Sequence, residues 1–232
     1  MSRSHHHGPN LLVFDVNETL LDIEVLQPFF LRLYGDAAIM REWFAQLILY
    51  SQVLSLAGIY KPFGELGAGV LRMVGQTRQI AVADSDIDEL RSLMRDMDPH
   101  PEVAGALDQL QQAGFRMVTL TNSAPDPAGG PLERSGLGRF FERSFSVDEV
   151  RRFKPAPETY RCVASALDVE MAEMCLVAAH TWDTLGAQAL GCCAALVARP
   201  GNAALPVEGL PQPDIIAPDL NGVAEEIIRR WR

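Results

Sequence analysis

The chain has 232 residues, 48% of them apolar and 22% charged. That suits one medium core, or a core with a small appended unit, and excludes a disordered tail. Its formal net charge of −10 argues against a nucleic-acid backbone as the main partner, and no apolar run reaches the roughly 18–20 residues that cross a bilayer. Residues 1–9, including His5, His6 and His7, read as a flexible leader without the apolar segment of a secretory signal. The four cysteines, Cys162, Cys175, Cys192 and Cys193, lie in apolar stretches with no metal-ligand spacing. Reduced, buried thiols in a cytoplasmic protein are expected.

In chain order, Leu11–Phe14 is an apolar run that reads as a buried strand ending at Asp15. From about residue 22 to 98 the pattern is helical throughout, over 25–34, 37–55, 64–74 and 84–97. Asp98-Pro99-His100-Pro101 closes that stretch, because its prolines stop one helix before the next begins. A helix over 102–113 then ends at Gly114, the residue type that caps helix C-termini. The second strand covers 115–120 and runs into Thr121-Asn122. A helix over Pro157–Leu167 opens with a tolerated proline. The third strand, Met174–Ala178, closes on His180 and Asp183. A fourth over 194–197 precedes Arg199-Pro200-Gly201, and a short last strand over 214–216 leads to a helix over 223–231. Such alternation is the mark of an α/β protein with a parallel sheet. The expected architecture is a Rossmann-like core, residues 10–21 and 99–232, with a helical cap, residues 22–98, inserted between the first and second strands.

In an open parallel sheet, ligands bind outside the carboxyl ends of the strands. Asp15, Thr121-Asn122 and the segment from His180 to Asp183 all fall there, and Lys154 can reach the same edge. A carboxylate that ends a buried strand loses hydration and needs donors or a cation; the competing reading of Asp15 is a helix cap. Lysine is scarce, Lys61 and Lys154 against eighteen arginines, so Lys154 is not background surface charge. Tyr160 either packs or offers its hydroxyl to Asp15 or Lys154. The aromatic and methionine residues over 37–55 read as cap core. Gly129-Gly130-Pro131 is a turn rather than a phosphate loop, since no Lys-Ser/Thr opens a helix after it.

These residues together resemble the haloacid dehalogenase superfamily. Asp15 and Thr19 match its Asp-x-x-x-Thr, Thr121 its strand-end Ser or Thr, Lys154 its lysine and Asp183 its acidic fourth motif. Within the superfamily, a phosphatase needs a second Asp two places after the nucleophile, where this chain has Asn17, and an amide cannot act as a general acid. The slots of the phosphatases' magnesium-binding Gly-Asp-x-x-x-Asp read Ala178-Ala179-His180-Thr181-Trp182-Asp183, and alanine supplies no oxygen for a hard cation. The details are instead similar to the L-2-haloacid dehalogenases. Thr121-Asn122-Ser123, Lys154-Pro155 with Tyr160, and Trp182-Asp183 with Gly186-Ala187 match their segments. Arg41 stands at their halide-binding arginine, and Phe63 at an apolar wall of the halide pocket.

The resemblance implies hydrolytic dehalogenation of short 2-haloacids with no metal and no cofactor. Asp15 would attack C2 in line and form an aspartyl ester, with inversion from an L-haloacid to a D-2-hydroxy acid. Lys154 would keep Asp15 ionised in a dry site, and Thr19 and Tyr160 would complete the catalytic set. Arg41, Asn122 and Trp182 would hold the departing halide. The backbone N–H groups of Val16 and Asn17, with Thr121, would hold the substrate carboxylate. Water near Asp183 and His180 would then cleave the ester; His180 stands where many relatives carry Asn, and the alternative for it is a buried imidazole without catalytic weight. The expected partners are a small 2-haloacid, water and a second copy of the chain, with no nucleic acid and no membrane. The rival readings are a magnesium-dependent phosphatase or phosphonate hydrolase, and a catalytically silent ligand-binding relative.

Overall fold

Leu11–Phe14 (β1) is buried on both faces, as a continuous apolar run must be in the middle of a parallel sheet. The computed structural model describes residues 8–127 and 129–232. Around β1 lie Arg116–Thr121 (β2), Arg143–Ser146 (β3), Met174–Ala178 (β4), Cys193–Val197 (β5) and Ile215–Ala217 (β6). They form one six-stranded sheet in the order β3-β2-β1-β4-β5-β6, every neighbouring pair parallel. Val13 stands opposite Val118 on one side and Leu176 on the other. The connections leave β1 in opposite directions, so the switch point lies at the β1/β4 edge, and Asp15 immediately follows it.

Five helices occur between β1 and β2, and the first four form the insert: Gln27–Tyr34 (α1), Ile39–Ala57 (α2), Phe63–Thr77 (α3) and Asp84–Arg95 (α4). Trp43, 1% exposed, centres this group; its indole N–H donates to the Gly67 carbonyl at 3.0 Å, and Phe30 lies 5.4 Å away, ring to ring. Gly75 is required where α3 meets the following loop, because a Cβ there would sit 2.7 Å from the Ile80 carbonyl. The remaining helices are Val103–Gln112 (α5), Pro131–Arg134 (α6), Pro157–Leu167 (α7), Thr181–Gln188 (α8) and Leu220–Trp231 (α9). In α9 the buried stripe Leu220, Val223, Ala224 and Ile227 packs on α5, and Asp219 caps the first turn by accepting from the Gly222 N–H at 2.9 Å.

The alternating core and the helical insert stand as expected, with element ends displaced by at most three residues. The strand β3 has no counterpart in the sequence reading: only Phe145 in Arg143-Ser144-Phe145-Ser146 is apolar, and its first half is exposed. Two residues of the expected leader, Gly8 and Pro9, belong to the folded part. Pro9 is buried and Gly8 lies against the Trp231 ring, while the three histidines lie outside the described residues. All four cysteines are free thiols.

Candidate active site

Lys154 is fully buried, and its three ammonium protons find three acceptors. Nζ donates to Asp15 Oδ1 at 2.8 Å, to Asp183 Oδ2 at 2.6 Å and to the Leu120 carbonyl at 2.9 Å. Its backbone N–H donates to Asn122 Oδ1 at 3.0 Å, tying the lysine loop to the end of β2. Thr19 fixes the other Asp15 oxygen: its hydroxyl donates to Asp15 Oδ2 at 2.7 Å and accepts the Ala179 N–H at 2.8 Å. The Tyr160 hydroxyl donates to Asp183 Oδ1 at 2.6 Å, so its partner is Asp183 rather than Asp15 or Lys154. Gly186 permits that contact, since a Cβ on α8 would lie 2.7 Å from the tyrosine oxygen and 2.4 Å from Pro155.

Burial alone would push the Asp15 carboxyl up, but the Lys154 ammonium and then the His180 ring outweigh it and hold Asp15 well below the usual carboxylate range. Burial lifts Asp183, whose position is raised further by the Asp15 charge and only partly offset by Lys154. Lys154 is itself raised, because Asp15 and Asp183 outweigh its own desolvation. Two neighbouring carboxyls are thus pushed apart, and Asp15 is the one kept as an anion.

A second group surrounds Glu18, which sequence reasoning missed. Glu18 is 2% exposed and takes a left-handed backbone conformation, φ 67°, which is uncommon for a residue with a Cβ. That turn aims its carboxylate inward at His180 Nε2, 2.8 Å away, where it also accepts from Asn202 Nδ2 at 2.8 Å and from Arg41. His180 Nδ1 lies 3.3 Å from Asp15 Oδ2, within ion-pair reach but off the direction of a hydrogen bond. The imidazole stacks on Trp182 at 5.0 Å and faces Phe44 at 5.6 Å. Burial would lower the His180 pKa, but the Asp15 and Glu18 carboxylates raise it to about 9. His180 is therefore an imidazolium at neutral pH, bracketed by two anions.

This arrangement fixes the sign of a pH effect. A folded pKa raised from the ordinary 6.5 to about 9 contributes stability that is complete below 6.5 and is lost as pH rises through 9. The urea midpoint should fall between those values, and His180→Asn should flatten the fall. An undiminished slope in the variant would show that another group is responsible.

Arg41 lies in α2, and its guanidinium binds Glu18 and Glu24 and donates to the Pro200 carbonyl at 3.3 Å. It clasps the helical insert to the strand-end loops and stands one residue removed from His180. Phe63 packs on Phe153 with ring centres 5.8 Å apart. The Thr121 hydroxyl accepts the Ser123 N–H at 3.1 Å, and the Asn17 amide donates to the Ser123 hydroxyl at 3.4 Å. Val16, Asn17, Phe63 and Thr121 line a cavity of about 720 Å³ between the inserted helices and the β2–β3 side of the sheet. Asp15, Lys154, His180 and Trp182 lie outside its wall.

A parallel α/β core with an aspartate at the switch point, an ammonium on it and a helical insert after β1 sets a buried carboxylate where an open parallel sheet binds its ligand, the frame of an enzyme. A profile of the haloacid dehalogenase-like hydrolases matches residues 9–191, and the chain belongs to that family. The chain is 30% identical to an (S)-2-haloacid dehalogenase of Xanthobacter autotrophicus, over 84% of this chain and 77% of that one. It is 28% identical to (S)-2-haloacid dehalogenase 1 of Pseudomonas sp. strain CBS-3, over 77% of this chain and 80% of the relative. The solved L-2-haloacid dehalogenase of Xanthobacter autotrophicus superposes with a TM-score of 0.85 at 26% identity, covering 97% of this chain and all of the other. The same Xanthobacter protein has been solved with chloropropionic acid covalently bound, and superposes equally well, at 0.85.

Proposed function

We propose that this enzyme hydrolyses the carbon–halogen bond of (S)-2-haloacids through an ester on Asp15. The observation that carries the reading is the ammonium of Lys154 held between Asp15 and Asp183. It supplies the charge that keeps a dehydrated carboxylate nucleophilic, while Asn17 and Ala179 stand where a phosphatase of this superfamily would need carboxylates. The names of the relatives support the same substrate class.

In the first step an Asp15 oxygen forms a bond to C2 while the halide departs with its bonding electrons from the opposite face, which inverts the carbon. Thr19 and Lys154 hold the carboxylate in place for this attack, and the backbone N–H groups of Val16 and Asn17, with Thr121, orient the substrate carboxylate. Asn122 and Trp182 flank the departing halide. For Arg41 to join them, its guanidinium exchanges a carboxylate partner for the anion.

Esterification removes the Asp15 charge, one of the two influences that raise His180. The imidazolium then releases its proton to solvent, the one proton that the overall reaction liberates. Neutral His180, held through Nε2 by Glu18, takes a proton from water as that water attacks Cγ of Asp15. The tetrahedral adduct collapses by breaking the bond to the product oxygen, whose proton comes from the restored Asp15 carboxyl. Asp183, already engaged by Lys154 and Tyr160, keeps the ammonium in place.

The segment 22–98 serves as a cap over this site in the same reading, and the enzyme acts as a cytoplasmic homodimer. The test is halide release from (S)-2-chloropropionate with EDTA present, with the (R) enantiomer as control. Release confined to the (S) acid is expected. Failure to release halide, together with phosphate-ester cleavage that needs magnesium, would overturn the reading.

A further inference from the structure

The cavity of about 720 Å³ is far larger than a propionate side chain needs and falls within the roughly 300–1,000 Å³ of pockets that hold drug-sized ligands. Its upper wall is mostly apolar, built from Trp43, Leu47, Phe63 and Ala68 on α2 and α3 and from Leu90 and Met94 on α4, which also brings Arg91 and Arg95 to the lining. Its inner wall includes Val16 and Asn17, the two residues that follow the nucleophile, and Thr121 at the end of the adjacent strand. A group attached to C2 of an acid on Asp15 therefore has an apolar space beside it, bounded by the loops that hold the reacting atoms.

A second observation marks the cavity as a ligand site. Thr119 is fully buried and lines it, on the same face of β2 as Thr121, yet its hydroxyl has no hydrogen-bond partner among the described residues. Buried hydroxyls are normally satisfied, and one left unpaired against a cavity beside Thr121 points to an occupant whose polar end, an acid's carboxylate in the reading above, lies at β2.

We propose that the cavity receives the C2 substituent of a 2-haloacid bulkier than the propionates, an alkyl chain of about six carbons or an aryl-methyl group. The proposal rests on the dehalogenase reading and names its substrate class. Each methylene accommodated in such a pocket is worth about 10-fold or more in discrimination at the favourable end. A chain of this length accordingly gives a preference readable in simple rate ratios.

The experiment compares halide release from (S)-2-bromooctanoate, (S)-2-bromo-3-phenylpropionate and (S)-2-bromopropionate. At least one bulky acid is expected to exceed bromopropionate in kcat/KM by about 10-fold or more. Ala68→Phe narrows the cavity and should lower the ratio of bulky to small acid about 10-fold. Gly64→Leu, in the first turn of α3 where an added Cβ meets nothing within 4 Å, gives a second variant with little risk to folding. Bromopropionate turned over faster than both bulky acids, or a ratio unmoved in both variants, would overturn the proposal and leave the dehalogenase reading intact. Halide release from none of the three acids would instead remove the dehalogenase reading, and this proposal with it.

Discussion

Asp15→Asn is expected to lower halide release by about 10⁴-fold or more, the scale on which removing a nucleophile acts, while the variant remains folded. The amide has the shape of the carboxylate, and its oxygen can still accept from Lys154 or Thr19, so neither the Thr19 bridge to Ala179 nor the sheet edge need move. What it lacks is the negative charge that makes the displacement possible. The measurement is halide release per active site alongside a thermal melt. Wild-type release from a folded variant would exclude Asp15 as the attacking group.

Lys154→Met is the second large effect, and it falls on stability as well as rate. Removing the cation leaves Asp15 and Asp183 buried without the ammonium that both contact, and losing one partner from a buried ion pair costs about 3–5 kcal/mol. At least one of the two carboxyls is then forced to retain a proton, so its folded pKa rises above the unfolded value. A group raised in this way contributes stability below its unfolded pKa and loses it as pH climbs through the folded one. The stability gap to wild type is therefore widest at neutral pH and narrows toward pH 4, as urea melts at the two pH values would show. A gap of equal size at both would mean that lost packing, rather than unpaired charge, is the cause.

Much of this site was legible because the chemistry follows the strands. Asp15 and Asp183 lie just beyond short buried apolar runs, and the fixed spacing of Thr19 to Asp15 and of Tyr160 to Lys154 brought in two more residues. The strand β3 was not legible, since an edge strand with an exposed first half carries no apolar pattern. Glu18 was missed for a different reason. Its role comes from a single left-handed residue that turns an acidic side chain into the core, toward a histidine 162 positions away. Arg41 was expected at a halide site, whereas its partners, Glu18 and Glu24, depend on how α2 sits against the strand-end loops. The cavity was invisible for the same reason, as its wall is assembled from separate stretches of chain that touch only after folding.

The central claim is that the oxygen delivered to the product comes from the enzyme. A single turnover with enzyme in excess, run in oxygen-18 water with (S)-2-chloropropionate, tests it directly, with mass spectrometry of both the hydroxy acid and the peptide bearing Asp15. Label should appear in the Asp15 carboxylate, with the first product unlabelled. A labelled product and an unlabelled Asp15 would mean that water attacks C2 itself, and the ester mechanism would be wrong.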